Sequence, residues 1–162
     1  MPLTTIRRLV TLTLLPLAVA GAALLVSPTA AHAVTISPLE QAVVTATNKA
    51  RTTAGCAPVH ADGRLQAATR RHSLDMARRG FFGHTGSDKS TFVTRDHAAG
   101  YKWPVSENIA YGYNNADKLV TAWLNSPAHR KNLLNCKARA IGVGIVTSNK
   151  GTVFITQNFG GI

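Results

Sequence analysis

The sequence predicts an α+β domain behind an export leader, on three observations. Apolar residues recur at helical spacing between capping residues from Ser37 to Asn135, which reads as a succession of helices. Two runs rich in β-branched and aromatic residues, 141–146 and 152–159, close the chain around Ser148-Asn149-Lys150-Gly151, which reads as a hairpin. A long apolar stretch, Leu9 to Val26, stands apart at the start. Helices in one block and strands in the next, rather than in alternation, define the class.

The leader comes first. Arg7 and Arg8 precede the apolar run, Pro16 interrupts it, and the small residues Ala31 and Ala33 follow, so residues 1–33 read as a signal peptide cleaved after Ala33. An uncleaved anchor is the alternative, because 18 residues lie at the lower edge of a bilayer span of about 17–25. The secreted chain is then 34–162, a single domain, and at that size folding buries about two-thirds of the unfolded surface.

Ser37-Pro38-Leu39-Glu40 opens the first helix with a cap, a first-turn proline and an early acid; Leu39, Val43, Ala46 and Ala50 form its apolar stripe, and it ends near Gly55. Asp62 caps the second, where Leu65, Ala68, His72 and Met76 share one face and Gly80 stops the helix. His72 therefore faces the core, and Asp75 is spaced to pair with Arg71 and Arg79 on the opposite face. Phe81-Phe82-Gly83-His84 leads into a turn-forming loop that leaves His84 free to point into a cleft. Thr91 to Ala98 is a short third helix before Gly100, and 101–105 is extended into Ser106-Glu107-Asn108-Ile109-Ala110. Glu107 is either a surface carboxylate, with Arg130 as its partner, or the acid that joins His84 and His129.

From Asn115, Leu119, Val120, Trp123 and Leu124 make a fourth helix, and Ser126-Pro127 starts a fifth with Ser126 as its side-chain cap. His129 then lies in the first turn, where the field of the helix N-terminus favours the neutral imidazole. In the hairpin, Gly142 and Gly144 imply the close approach of another backbone.

Two cysteines, Cys56 and Cys136, both lie in the exported part, and an oxidising compartment makes one structural disulfide the expectation. Metal ligation by two isolated cysteines without Cys-x-x-Cys spacing is the weaker reading. The chain carries 18 basic and 7 acidic residues, net +11; loss of Arg7 and Arg8 leaves 16 against 7, or +9. The basic residues fall in dispersed pairs without interleaved aromatics, which argues against specific nucleic-acid binding and for a weak attraction to lipid headgroups or anionic cell-surface polymer. A single compact monomer is expected.

Five motifs occur in order: Phe-Phe-Gly-His at 81–84, Ser-Glu-Asn-Ile-Ala at 106–110, Trp-Leu-Asn-Ser-Pro-Ala-His-Arg-Lys-Asn-Leu-Leu at 123–134, Gly-Val-Gly-Ile at 142–145 and Thr-Gln-Asn-Phe-Gly at 156–160. Together they resemble the bacterial secreted members of the CAP superfamily, which joins cysteine-rich secretory proteins, insect-venom antigens and plant pathogenesis-related proteins. The resemblance spans Pro38 to Phe159. It implies an α-β-α sandwich with an antiparallel sheet between helical layers, and a binding cleft at His84, Glu107, Ser126 and His129. It further implies a divalent-metal site, such as zinc, made by His84, Glu107 and His129. The superfamily's second acid belongs near Asn125-Ser126, where this chain has none, so metal binding is expected to be weak.

Three functions follow from these readings: a secreted module binding a small molecule or lipid, an extracellular interaction module, and, as the alternative, a metal-dependent or Ser126/His129 hydrolase. Binding or interaction ranks above catalysis, and no residue is assigned as catalytic. Ser-x-x-His lacks a nucleophile elbow, the Ser126 hydroxyl is expected at the helix start, and the His-Glu-x-x-His spacing of zinc proteases is absent.

Overall fold

The computed structural model describes Met1 and residues 35–162, so the proposed leader and its cleavage site lie outside the described residues. The described order is α1 (Pro38–Thr53), β1 (His60–Ala61), α2 (Gly63–Arg79), α3 (Phe92–Ala98), β2 (Pro104–Tyr111), α4 (Ala116–Asn125), α5 (Pro127–Leu133), β3 (Ala140–Thr147) and β4 (Val153–Gly160). Local chemistry sets most boundaries. Ser37 and Glu40 form a capping box at α1, the Asp62 carboxylate accepts from the first N–H groups of α2, and Asn115 and Thr91 cap α4 and α3. Gly80 ends α2 at φ 68°, a left-handed conformation that glycine adopts without a Cβ penalty.

The strands form one sheet in the order β1-β3-β4-β2. The expected hairpin pairs β3 with β4 antiparallel, and β4 pairs antiparallel with β2. The three long strands thus form the expected antiparallel sheet, and the two-residue β1 adds a parallel pairing with β3 over His60 and Ala61, so the sheet is mixed. Alternation then assigns its two faces. Ile141, Val143, Ile155 and Phe159 pack with Val43 and Val44 of α1, Leu119 and Trp123 of α4 and Leu133 of α5. On the other face Phe154 and Ile109 meet Met76 of α2. The result is the three-layer sandwich.

Gly142 and Gly144 explain how closely α2 lies on the sheet. A Cβ at Gly142 would overlap the backbone of Leu65 and Gln66, and one at Gly144 that of Thr69 and Arg70. Polar groups fix the register there: Val143 N donates to Gln66 Oε1 at 3.1 Å and Ser73 Oγ to Gly144 O at 2.9 Å. His72 is buried and its Nε2 meets Gly83 O at 2.9 Å, the backbone partner expected of a core histidine. Asp75 pairs with Arg79 but not Arg71; its carboxylate also accepts from the N–H and hydroxyl of Ser87.

Cys56 and Cys136 form the disulfide, 80 positions apart. Beside it the buried Arg51 guanidinium donates to the carbonyls of Ala57, Leu133, Asn135 and Ala138, tying the end of α1 to the end of α5 with no acidic partner among the described residues. A buried amide ladder does the same along the sheet. Asn132 Nδ2 donates to Asn108 Oδ1 at 2.9 Å, Asn108 Nδ2 to Gln157 Oε1 at 3.1 Å and Gln157 Nε2 to Thr47 Oγ1 at 3.0 Å. Two carbonyls of the edge strand β2 accept from side chains, Glu107 O from Asn132 Nδ2 and Ile109 O from Trp123 Nε1.

Candidate functional site

The site lies where β2, α5 and the loop after α2 meet. Glu107 is buried on β2, and both of its oxygens are engaged: Oε1 meets His84 Nδ1 at 2.9 Å, and Oε2 accepts from Arg95 Nη2 at 2.7 Å. The surface-carboxylate reading and the Arg130 pairing are both replaced by this arrangement. Arg95 of α3 also donates to Ser90 O at 2.9 Å and to His84 O at 3.0 Å, so one guanidinium clamps the 84–90 loop onto the strand. A buried carboxylate keeps its charge only with such partners. His84 itself stands out into solvent, its side chain 57% exposed.

His129, on the first turn of α5, is half-buried, and its Nδ1 meets Ser126 Oγ at 2.9 Å. Here the sequence reading is corrected. Ser126 occupies the N-cap position, but its hydroxyl makes no capping bond; it turns to the His129 ring instead. The expected depression of His129 does occur, with a different cause: burial comes first, and the neighbouring His84 ring second. Both effects disfavour imidazolium.

The four expected cleft residues thus form two pairs, His84 with Glu107 and His129 with Ser126. In each pair Nδ1 is tied, and neither Nε2 has a hydrogen-bond partner among the described residues. No group of three His, Cys, Asp or Glu among the described residues is close enough to hold a metal ion. Sequence reasoning missed Arg95 and Asn132. Asn132 Nδ2 seats α5 on the Glu107 carbonyl at 3.0 Å, and a side-chain amide on a helix three residues after His129 was its only trace in the sequence.

Beneath the clamp lies Asp96, fully buried. Its Oδ1 accepts from Asn158 Nδ2 at 2.7 Å, while Asp96 Oδ2 and Asn158 Oδ1 have no partner among the described residues. Burial pushes this carboxyl up to about 7, with Glu107 adding to the effect and Asn158 and Arg95 opposing it. A proton on Asp96 turns an orphaned acceptor into a donor, which suits a pair of unsatisfied oxygens.

Residues 44–159 match the model of the CAP family, described as the cysteine-rich secretory protein family. The chain belongs to that family. Its CAP domain is 34% identical over 126 residues to the uncharacterized protein YkwD of Bacillus subtilis, covering 77% of this chain and 48% of YkwD. Among solved structures it is similar to an extracellular protein containing an SCP domain from Bacillus anthracis, at 29% identity and a TM-score of 0.70, covering 76% of this chain and 40% of that one. The chain therefore spans less than half the length of both relatives. The CAP fold is shared, at 10% identity and a TM-score of 0.56, with NaASP2, whose structure was determined with Zn2+; 77% of this chain and 80% of that one are covered.

Proposed function

We propose that this CAP domain is an extracellular ligand-binding or interaction module, exported by the 1–33 leader, whose cleft at His84, Glu107, Ser126 and His129 holds a divalent cation weakly. The carrying observation is the tethering of both imidazoles through Nδ1, which in the Nδ1–H tautomer leaves the Nε2 lone pair of each ring to ligate a cation. Carboxylate and hydroxyl partners behind a histidine orient the ring and set its tautomer, as outer-shell groups do around metals. The two rings would supply one nitrogen each to the cation. Glu107 supports His84 rather than ligating, because Arg95 and His84 occupy its oxygens.

When bound, the cation would offer positive charge to an anionic or carbonyl group of a ligand. The chain's own residues do the rest: Glu107 orients His84, Ser126 orients His129, Arg95 fixes the loop, and burial keeps His129 neutral. NaASP2 with Zn2+ supports the reading at the level of the shared fold. Zinc titrated by calorimetry at pH 7.5 into wild type, His84→Ala and His129→Ala tests it. Weak binding lost in either variant, and weakened at pH 5.5 as protons compete for the rings, is expected. Equal heats in all three proteins would remove the metal from the proposal.

One observation favours a hydrolase as the second reading: the Ser126 hydroxyl is not spent on the cap and lies on a depressed histidine. The two readings need opposite tautomers. Ligation by Nε2 requires Nδ1–H to donate to Ser126, whereas base catalysis requires Ser126 to donate to Nδ1. Hydrolysis of p-nitrophenyl esters that vanishes in Ser126→Ala and is inhibited by zinc would favour catalysis.

A further inference from the structure

Beside His129 a slot of about 500 Å³ runs between the end of β2, α4 and the start of α5. Phe82 and Tyr111 form one wall. They are 47% and 56% exposed, unusual for large apolar side chains, and they pack edge to face with centroids 4.8 Å apart at 70°. Ile109 and Trp123 line the slot, and Ser126 and His129, with the hydroxyls of Tyr111 and Tyr113, supply its polar side-chain groups. Aromatic faces so placed are preorganised and cost little side-chain entropy on binding.

Charge sets this slot apart. In a domain with such an excess of basic residues, no Lys, Arg, Asp or Glu lines it. Four other cavities, of 400–740 Å³, each have charged side chains in their walls. An anionic ligand would find better partners at those surfaces, and a purely aliphatic one would leave Ser126 and His129 without use. The complementary ligand is neutral, with one apolar face for the aromatic wall and hydroxyls for the polar end.

We infer that the slot between Phe82, Tyr111 and the Ser126–His129 pair binds a neutral saccharide, one pyranose ring laid against the aromatic wall with its hydroxyls toward Ser126 and His129. This rests on the ligand-binding reading above and names a ligand class for the slot that adjoins that cleft at Ser126 and His129. The C–H face of a pyranose is apolar while its rim donates and accepts, and Ser126 and a neutral His129 can do both. Saccharide binding of this kind is independent of ionic strength, because no counterion is released.

Saturation-transfer NMR on the intact protein, with cellotriose and chitotriose as probes and 1-decanol as the apolar comparison, tests the inference. Transfer to the ring methine protons of at least one trisaccharide is expected, equal at 50 and 500 mM NaCl, with amide shifts confined to residues 82, 109–113 and 122–129. Phe82→Ala and Tyr111→Ala should each weaken binding about tenfold, and Tyr111→Phe should keep it; both sites are exposed, so unchanged melting temperatures verify the folds. Binding that collapses at 500 mM NaCl would place the sugar on the basic surface and overturn the inference. Shifts in the slot with decanol alone would overturn the saccharide class and leave ligand binding standing. No shift with any probe would overturn the slot itself, while the zinc titration decides the histidine cleft separately.

Discussion

Asp96 makes the sharpest prediction about stability. Its ordinary carboxyl value is 3.8 and the folded protein raises it to about 7, so between those values the native state holds a proton that the unfolded chain releases. Stability from this group is fully present below 3.8 and is lost as pH rises through about 7. At 1.36 kcal/mol per unit, the loss over that window is roughly 4 kcal/mol. Asp96→Asn replaces the neutral acid by its isostere and cannot ionise. Other groups titrate in the same range: the buried His72 and the half-buried His129, both depressed, gain stability with rising pH and oppose the trend. They cancel in the difference between wild type and variant. Urea denaturation followed by tryptophan fluorescence from pH 4 to 8 should show the two proteins close at pH 4 and wild type falling behind by roughly 4 kcal/mol at pH 8. A difference that does not change with pH would refute the reasoning, because it would mean that folded Asp96 carries its charge throughout.

Four further outcomes are expected. Arg95→Ala strands the buried Glu107 carboxylate and should cost about 3–5 kcal/mol in the same denaturation assay, with Arg95→Lys recovering only part because it lacks the planar fork that reaches Ser90, His84 and Glu107 together. Gly144→Ala drives a methyl group into the backbone of α2 and should cost on the order of 2–3 kcal/mol, read as a lower urea midpoint. Ser126→Ala should change stability by less than about 0.5 kcal/mol, because no cap is lost, while nitrogen-detected NMR of His129 should show a changed Nδ1 environment. Intact mass of the secreted protein should begin at Val34, and reducing the Cys56–Cys136 bridge should cost at most about 4–5 kcal/mol.

The helices and the hairpin were legible because each is specified locally. Ser37, Asp62, Thr91 and Asn115 announce helix starts through their own side chains, and Gly142 and Gly144 announce a close neighbour by the absence of one. His60–Ala61 was not legible as a strand: two residues carry no alternation, and only pairing with Ala140 and Ile141 defines them. The site divided the same way. His84, Glu107 and His129 lie in motifs, whereas Arg95 sits in a seven-residue helix with nothing in its neighbours to say that it reaches across to β2. Ser126 misled for a related reason. Its position matches a helix cap, but a cap and a histidine three residues on compete for one hydroxyl, and sequence spacing does not weigh the two.

The side chains that seat α4 and α5 on β2 also bear on how the molecule resists aggregation. An outermost strand with free carbonyls is a template onto which a foreign strand can add, and growth by such addition ends in fibrils. Here the Glu107 and Ile109 carbonyls are already taken by Asn132 and Trp123, and the opposite border of the sheet is a strand only two residues long. Two carbonyls of the β2 border are thus closed to a foreign strand, so Asn132→Ala, which frees one of them, should shorten the lag of fibril growth under agitation even where it leaves the fold intact.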